Sequence, residues 1–217
     1  MAVSSARSAL AGNLGTVDDI VWFHQKEQLP NVGAPPNRDR SLVLGATALL
    51  YAAWEGYIEQ LAIVAVDWLA GQIDAAAVPA RVQKTLEEAG VGHWDFAGDG
   101  WKTVWKAEVR QFAVGDGTRT FGINTAGPKQ VINLFEGYAG YHPLDGIAWQ
   151  NCNNDTVKRN LSKLVKERGT IVHTAVGPPN YGINRYRNHR QFVERLADRF
   201  DARAKAQLNT LGGASPW

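Results

Sequence analysis

Residues 42–69 read LVLGATALLYAAWEGYIEQLAIVAVDWL, and this stretch decides the fold. Its apolar side chains recur at three- and four-residue steps, the spacing of one face of an amphipathic helix. Asp39 or Ser41 is placed to cap the N-terminus of such a helix. We therefore predict a long helix from about Leu42 to Leu69. Its predicted inward face consists of Leu42, Ala46, Leu49, Ala53, Tyr57, Leu61, Val64 and Trp68.

The same periodicity recurs along the rest of the chain, and strand patterns are nearly absent. Further helices are predicted over about 4–29, 78–89, 101–112, 129–138, 156–169 and 185–211. Asn154 or Asp155 is expected to cap the fifth of these, which TIVHTAV (170–176) continues or follows with a new helical segment. The predicted breaks are PNVGAPPNR (30–38), the loop 90–100, the turns of 115–127 and GPPNYGIN (177–184). We predict one all-α domain over residues 1–217, a bundle of about six helices with long second and last helices, and a disordered tail at 212–217.

Composition excludes several classes of protein. The 217 residues are 45% hydrophobic and 20% charged, as in a globular domain. No run of about 18 apolar residues and no secretory signal is present, so we expect a cytoplasmic protein without a membrane segment. The single cysteine, Cys152, excludes an internal disulfide and a cysteine-based zinc site. HExxH, GxSxG and phosphate-loop motifs do not occur, so neither a metal nor a nucleotide cofactor is predicted.

The basic side chains are concentrated in the last third of the chain. Residues 151–217 carry 12 basic and 5 acidic side chains, although the net charge of the whole chain is only +2. Such asymmetry indicates a polyanionic partner or a solvated basic helix. Composition alone does not separate the two interpretations.

The side chains best suited to catalysis lie in LVKERGTIVHT (164–174), which contains Arg168 and His173. A five-residue step on a straight helix is a rotation of about 140°, so the two side chains do not share a face. They converge only through a bend at Gly169 or across a partner subunit. The alternative interpretation is an arginine that ends a basic helix and a histidine that packs against the core.

Arg168, four residues and His173 resemble the R-x4-6-H motif of the HEPN superfamily of small helical bundles. LLYAAWEGYIEQLA (49–62) is similar to the early helix of that family, with Glu55 at its acidic position. NTAGPKQVINLFEGYAG (124–140) and LSKLVKERGTIVHTAVG (161–177) resemble the spacing in the RiboL-PSP-type branch. The resemblance covers about residues 40–210. Gly169 stands where active members frequently have a polar residue such as asparagine.

The resemblance implies a metal-independent endoribonuclease, a toxin or an antiviral defence effector that an antitoxin or another protein could restrain. His173 would take the proton of an RNA 2′-hydroxyl, and Arg168 would hold the phosphate, leaving a 2′,3′-cyclic phosphate. Glu55 would orient one of them, or is a structural acid. A homodimer with the motif at its interface is implied. The alternatives are a non-catalytic HEPN module that binds nucleic acid, nucleotide or protein, and a helical scaffold.

An RNA-binding surface is predicted at the start of the last helix. Its candidate residues are Arg185, Arg187 and Arg190 for phosphates and Tyr181 and Tyr186 for base stacking. The three arginines are selected because none of them is assigned to an acidic partner further along the helix. By the same argument, the later arginines Arg195, Arg199 and Arg203 are expected to pair with Glu194, Asp198 and Asp201.

Overall fold

The computed structural model describes residues 2–26, 36–88, 98–118 and 122–217, and within these ranges it contains seven α-helices and no β-strand. The all-α prediction is confirmed. The helices are α1 (Ser5–Lys26), α2 (Pro36–Leu69), α3 (Ala80–Glu88), α4 (Gly100–Ala113), α5 (Pro128–Ala139), α6 (Asn154–Thr174) and α7 (Ile183–Gly212). A 3-10 turn over Ala75–Ala77 precedes α3 and was not predicted.

Helix α2 is the centre of the bundle. It packs against α1, α4, α5, α6 and α7, and it buries Trp54, Tyr57 and Leu61 completely or nearly so. The Trp54 indole nitrogen donates to the Ala126 carbonyl at 3.0 Å, and the Tyr57 hydroxyl donates to the Ala197 carbonyl at 3.0 Å. These bonds satisfy buried polar atoms and join α2 to the segment before α5 and to α7.

The predicted inward face of α2 is partly wrong. Leu49 is 46% exposed, and Val64 and Trp68 are only half-buried. Five helices surround α2, so its buried surface extends around most of the helix and is not confined to one stripe.

Several helix boundaries differ from prediction. Helix α2 begins at Pro36, inside the predicted break 30–38, because proline is compatible with the first helical turn. The cap of α6 is Asn153, whose side chain accepts from the Thr156 amide at 2.9 Å. The predicted end of the first helix and most of the loop 90–100 lie outside the described residues.

The C-terminal segment is packed, contrary to the predicted disorder of 212–217. The Trp217 indole nitrogen donates to Asp201 on α7 at 3.2 Å. The same carboxylate accepts from the backbone amide of Ser4, at 3.2 and 3.3 Å, so it joins both ends of the chain to α7.

By length and composition, one helix among the described residues could cross a membrane, namely α2 over Arg40–Leu69. Of the apolar window, 56% is buried inside the bundle. The mostly buried core helix of a bundle passes the same test.

Candidate functional site

Arg168 lies on α6 with its guanidinium over the ring of Tyr51, 5.1 Å from the ring centroid. This contact across the α2–α6 interface is a cation–π interaction, which fixes the guanidinium without using its N–H donors. Arg168 makes no hydrogen bond or ion pair with any residue that the structure describes. Within the described ranges, no residue occupies the N–H donors that a ligand would use.

Glu55 is one helical turn beyond Tyr51, and it is close enough for its charge to interact with that of Arg168. One of its carboxylate oxygens, Oε1, is buried without a hydrogen-bond partner among the described residues. Burial raises the pKa of Glu55, and the positive charge of Arg168 partly opposes that rise. Of the three predicted catalytic residues, the structure therefore brings Glu55 and Arg168 together.

Tyr51 has a second contact that holds this part of the site. Its hydroxyl oxygen accepts from the backbone amide of Ala126 at 2.7 Å, just before α5. Burial, and then the charge of Glu55, raise the pKa of Tyr51, so the phenol stays neutral. Burial and Glu55 also raise the pKa of Glu59, one turn further along α2, to about 7.

His173 lies in the last turn of α6 and is exposed. Helix α6 is continuous through Gly169, so the step from Arg168 to His173 is the rotation of about 140° expected on one straight helix. One chain therefore does not place the two side chains on one face. Val172 and Val176, on either side of His173 in sequence, are also exposed, so an apolar surface accompanies the imidazole.

Arg185 is not free for phosphate. It donates to the buried carboxylate of Glu167 through Nε, at 3.2 Å, and through Nη2. His189 contacts the same carboxylate at 2.8 Å. Burial lowers the pKa of His189, and the adjacent carboxylate of Glu167 only partly opposes that shift. Burial alone would raise the pKa of Glu167, but the hydrogen bonds from Arg185 and His189 outweigh it and lower that pKa.

Arg190 also has acidic partners, contrary to the prediction. It pairs with Asp18 of α1 at 2.9 Å and with Glu194, four residues further along α7, at 2.8 Å. Arg187 is exposed and makes one long hydrogen bond, 3.4 Å, to Asn184. Of the three predicted phosphate-binding arginines, Arg187 alone keeps its charge uncompensated by an acid among the described residues.

The two tyrosines predicted to stack on bases are buried. Tyr181 is 4% exposed and Tyr186 1% exposed, so neither ring presents a face to solvent. The Tyr181 hydroxyl donates to Thr47 at 3.0 Å, and that of Tyr186 donates to Asp18 at 3.4 Å. Both are core residues, contrary to their predicted role as stacking residues.

The arginines that sequence reasoning missed are Arg195 and Arg199. They were expected to be paired, yet neither makes an ion pair or hydrogen bond with a described residue. Their expected acidic neighbours are used elsewhere: Asp198 pairs with Arg7, and Asp201 accepts from Ser4 and Trp217. No local signal could have revealed this, because Arg7 lies 191 residues from Asp198 in sequence.

Fold and contacts together define an all-α helical bundle with an exposed histidine and an arginine that has no hydrogen bond within the described chain. Within the described ranges, no group of three or more His, Cys, Asp or Glu side chains could hold a metal ion. A scan against models of protein families, a search of curated proteins and a search of solved structures each found no match.

Proposed function

We propose that this chain is a metal-independent endoribonuclease that acts as a homodimer, with Arg168 and His173 as its catalytic residues. The observation that carries the proposal is the environment of Arg168, held over Tyr51 and near Glu55 while all its donors stay unpaired among the described residues. A guanidinium with free donors can grip two oxygens of one phosphate, which a lysine cannot do with the same geometry.

The proposed reaction needs only these side chains, RNA and solvent water. His173 takes the proton of a 2′-hydroxyl, and the 2′-oxygen bonds to the adjacent phosphorus as the bond from phosphorus to the 5′-oxygen breaks. A water molecule of the solvent gives a proton to the departing 5′-oxygen. The products are a 2′,3′-cyclic phosphate and a 5′-hydroxyl. Arg168 stabilises the charge that develops on the phosphate oxygens.

The direction of the two side chains supports the proposed homodimer. Because His173 lies about 140° around α6 from Arg168, a phosphate held by Arg168 does not meet the imidazole of the same chain. A second copy of α6 can supply that imidazole. The exposed Val172 and Val176 beside His173 provide apolar surface that such an interface would bury.

The proposal is tested by cleavage of a mixed RNA in excess EDTA, with analysis of the product ends. We expect cyclic-phosphate ends from wild type and a loss of about 10²–10⁴-fold in His173→Ala and Arg168→Ala. Lys166→Ala removes an exposed positive charge from the same helix and should keep wild-type activity. Undiminished cleavage by His173→Ala would refute the assignment.

Mixing two inactive variants tests the dimer separately. If one chain supplies Arg168 and the other His173, an equal mixture of Arg168→Ala and His173→Ala forms heterodimers that have one intact site each. After subunit exchange, half of the dimers are heterodimers, and each heterodimer has one of its two sites intact. We therefore expect about a quarter of wild-type activity. No recovery, with heterodimers present by mass spectrometry, would place both groups in one chain.

A non-catalytic HEPN module that binds nucleic acid is the second candidate. It is favoured by Gly169, which offers no side-chain donor next to Arg168, and by the divergence of Arg168 and His173 on α6. A folded wild-type protein that binds RNA without cleaving it would support this function over the first.

A further inference from the structure

A cleft of about 500 Å³ separates α7 from the turn that precedes α6. Trp149, Gln150 and Asn151 of the turn form one side, and Arg195 and Arg199 of α7 the other. Two backbone hydrogen bonds between Trp149 and Cys152, at 3.0 and 2.9 Å, close the turn. Asn151 adopts a left-handed conformation with φ of 62°, as its tight geometry requires. The backbone on this side of the cleft is therefore held by its own hydrogen bonds.

The cleft carries uncompensated positive charge. Arg195 and Arg199 lie one helical turn apart, which places their Cβ atoms about 5–6 Å from each other. Both are exposed, and neither has an acidic partner among the described residues. The one carboxylate in the cleft, Asp198, is neutralised by Arg7 through contacts of 2.7 and 2.8 Å. Like charges so close on one face are unfavourable without a counter-charge, and an anionic ligand supplies one.

The turn adds groups that suit a nucleotide. Trp149 is half-buried, with its ring 5.9 Å from that of Phe192, and the rest of the indole borders the cleft. An aromatic ring beside a basic groove is the usual platform on which single-stranded bases stack. The side chains of Gln150 and Asn151 are exposed and offer both hydrogen-bond donors and acceptors.

We propose that this cleft binds the phosphodiester backbone of single-stranded RNA, with Arg195 and Arg199 on phosphates and a base against Trp149. We also infer that the RNA bound in the cleft is the substrate, and this part of the inference rests on the function proposed above. The turn leads directly into α6, and Arg168 lies 14 residues along that helix from Asn154, about 21 Å at 1.5 Å per residue. A dinucleotide cannot reach both places, whereas a longer strand can.

Binding is measured by fluorescence anisotropy with a labelled 2′-O-methyl oligonucleotide of about 12 nucleotides, within the site sizes of single-strand-binding proteins. The blocked 2′-oxygen prevents cleavage, so binding is measured independently of catalysis. Arg195→Gln/Arg199→Gln is compared with Lys84→Gln/Arg110→Gln, which removes the same charge from α3 and α4. Circular dichroism verifies that both are folded.

Two lost phosphate contacts should reduce the slope of log K against log salt by about 1.4. Between 1 M and 0.15 M salt this slope corresponds to about a fourteenfold loss of affinity in the cleft variant at 0.15 M. The control variant should bind as wild type does. Trp149→Leu should weaken RNA binding relative to wild type at every salt concentration, because base stacking does not depend on salt. Trp149→Phe keeps an aromatic ring and should retain most of the wild-type affinity.

Three results would overturn the cleft assignment: no RNA binding by wild type, unchanged binding by the cleft variant, or an equal loss in the control. Binding to anionic lipid vesicles is measured beside RNA binding. A cleft variant that loses binding to the vesicles but binds RNA as wild type does would assign the cleft to a membrane surface and would also overturn the proposal. Cleavage separates this inference from the proposed function. The cleft variant should lose cleavage of long RNA but keep that of a dinucleotide, whereas cleft-dependent binding without any cleavage would leave the cleft standing and refute the nuclease.

Discussion

Glu167 allows a sharp test of the charge network that removes Arg185 from the RNA-binding candidates. Glu167→Gln keeps the volume of the side chain but deletes its charge. The carboxylate is 5% exposed and accepts hydrogen bonds from Arg185 and His189. The amide that replaces it can accept from one of these partners and leaves the charge of Arg185 without a counter-ion.

The expected cost follows from the burial of the two partners. Removing one member of a fully buried ion pair costs about 3–5 kcal/mol. Here the side chain of Arg185 is 31% exposed and can be partly rehydrated, so we expect a loss of about 2 kcal/mol in the free energy of unfolding. In a chain of this length, that loss corresponds to a fall in Tm of about 4–8 °C.

The assay is thermal and urea unfolding followed by circular dichroism, beside Glu194→Gln as the matched control. Glu194 pairs with Arg190 on the same helix, but its side chain is 46% exposed, so its loss should cost less than about 1 kcal/mol. Equal effects of the two substitutions would refute the reasoning. So would an Arg185→Gln variant that loses RNA affinity while its stability stays unchanged.

Three further predictions concern residues of α2 and α6. The folded protein holds the pKa of Glu59 at about 7, above its unfolded value, so its contribution to stability is present at low pH and is lost as pH rises from about 4.5 through 7. Glu59→Gln should therefore match wild type at pH 4 and exceed it by about 1–2 kcal/mol at pH 8 in urea titrations, a figure reduced for partial exposure. A gain that is independent of pH would contradict this. Tyr51→Phe keeps the ring over Arg168 but leaves the Ala126 amide unpaired, so it should lower stability by about 1–3 kcal/mol and spare RNA cleavage. Tyr51→Leu should also reduce cleavage about fivefold, and equal cleavage by the two variants would argue against a positioning role. Gly169 has open space at its Cβ position inside α6, so Gly169→Ala should stabilise the protein by about 0.5–1 kcal/mol in thermal unfolding. Destabilisation would show that α6 needs glycine there.

Helix periodicity accounts for how much of the fold could be predicted. The interiors of α4 and α5 agree with the predicted segments to within a residue or two, because a helix is made by contacts three and four residues apart. The caps and the ends were less accurate. Asn153 caps α6 although two neighbouring polar residues were equally plausible, since the cap depends on where the chain turns and not on residue type alone.

The candidate site divides in the same way. An orienting role for Glu55 near Arg168 is one of two interpretations that the sequence leaves open, and the proximity of their charges depends on α2 packing against α6. For three arginines of α7, the prediction of which ones have acidic partners was wrong. Arg190 was expected to be free and is paired, whereas Arg195 and Arg199 were expected to be paired and are free among the described residues. Of the acids that decide this, Asp18 lies on α1 and Asp198 pairs with Arg7 of α1, whereas Glu194 lies four residues from Arg190 on α7 itself.

The sequence by itself determined that this chain forms helices, where most of them lie, and which residue types could act on a phosphate. Only the tertiary structure decided which of those side chains keep their charge available. Helical periodicity depends on residues within one or two helical turns of each other in sequence. An ion pair such as that of Arg190 with Asp18 joins residues 172 apart. Burial follows the same rule: Tyr181 and Tyr186 lie in the core because other helices cover them, which no local pattern records.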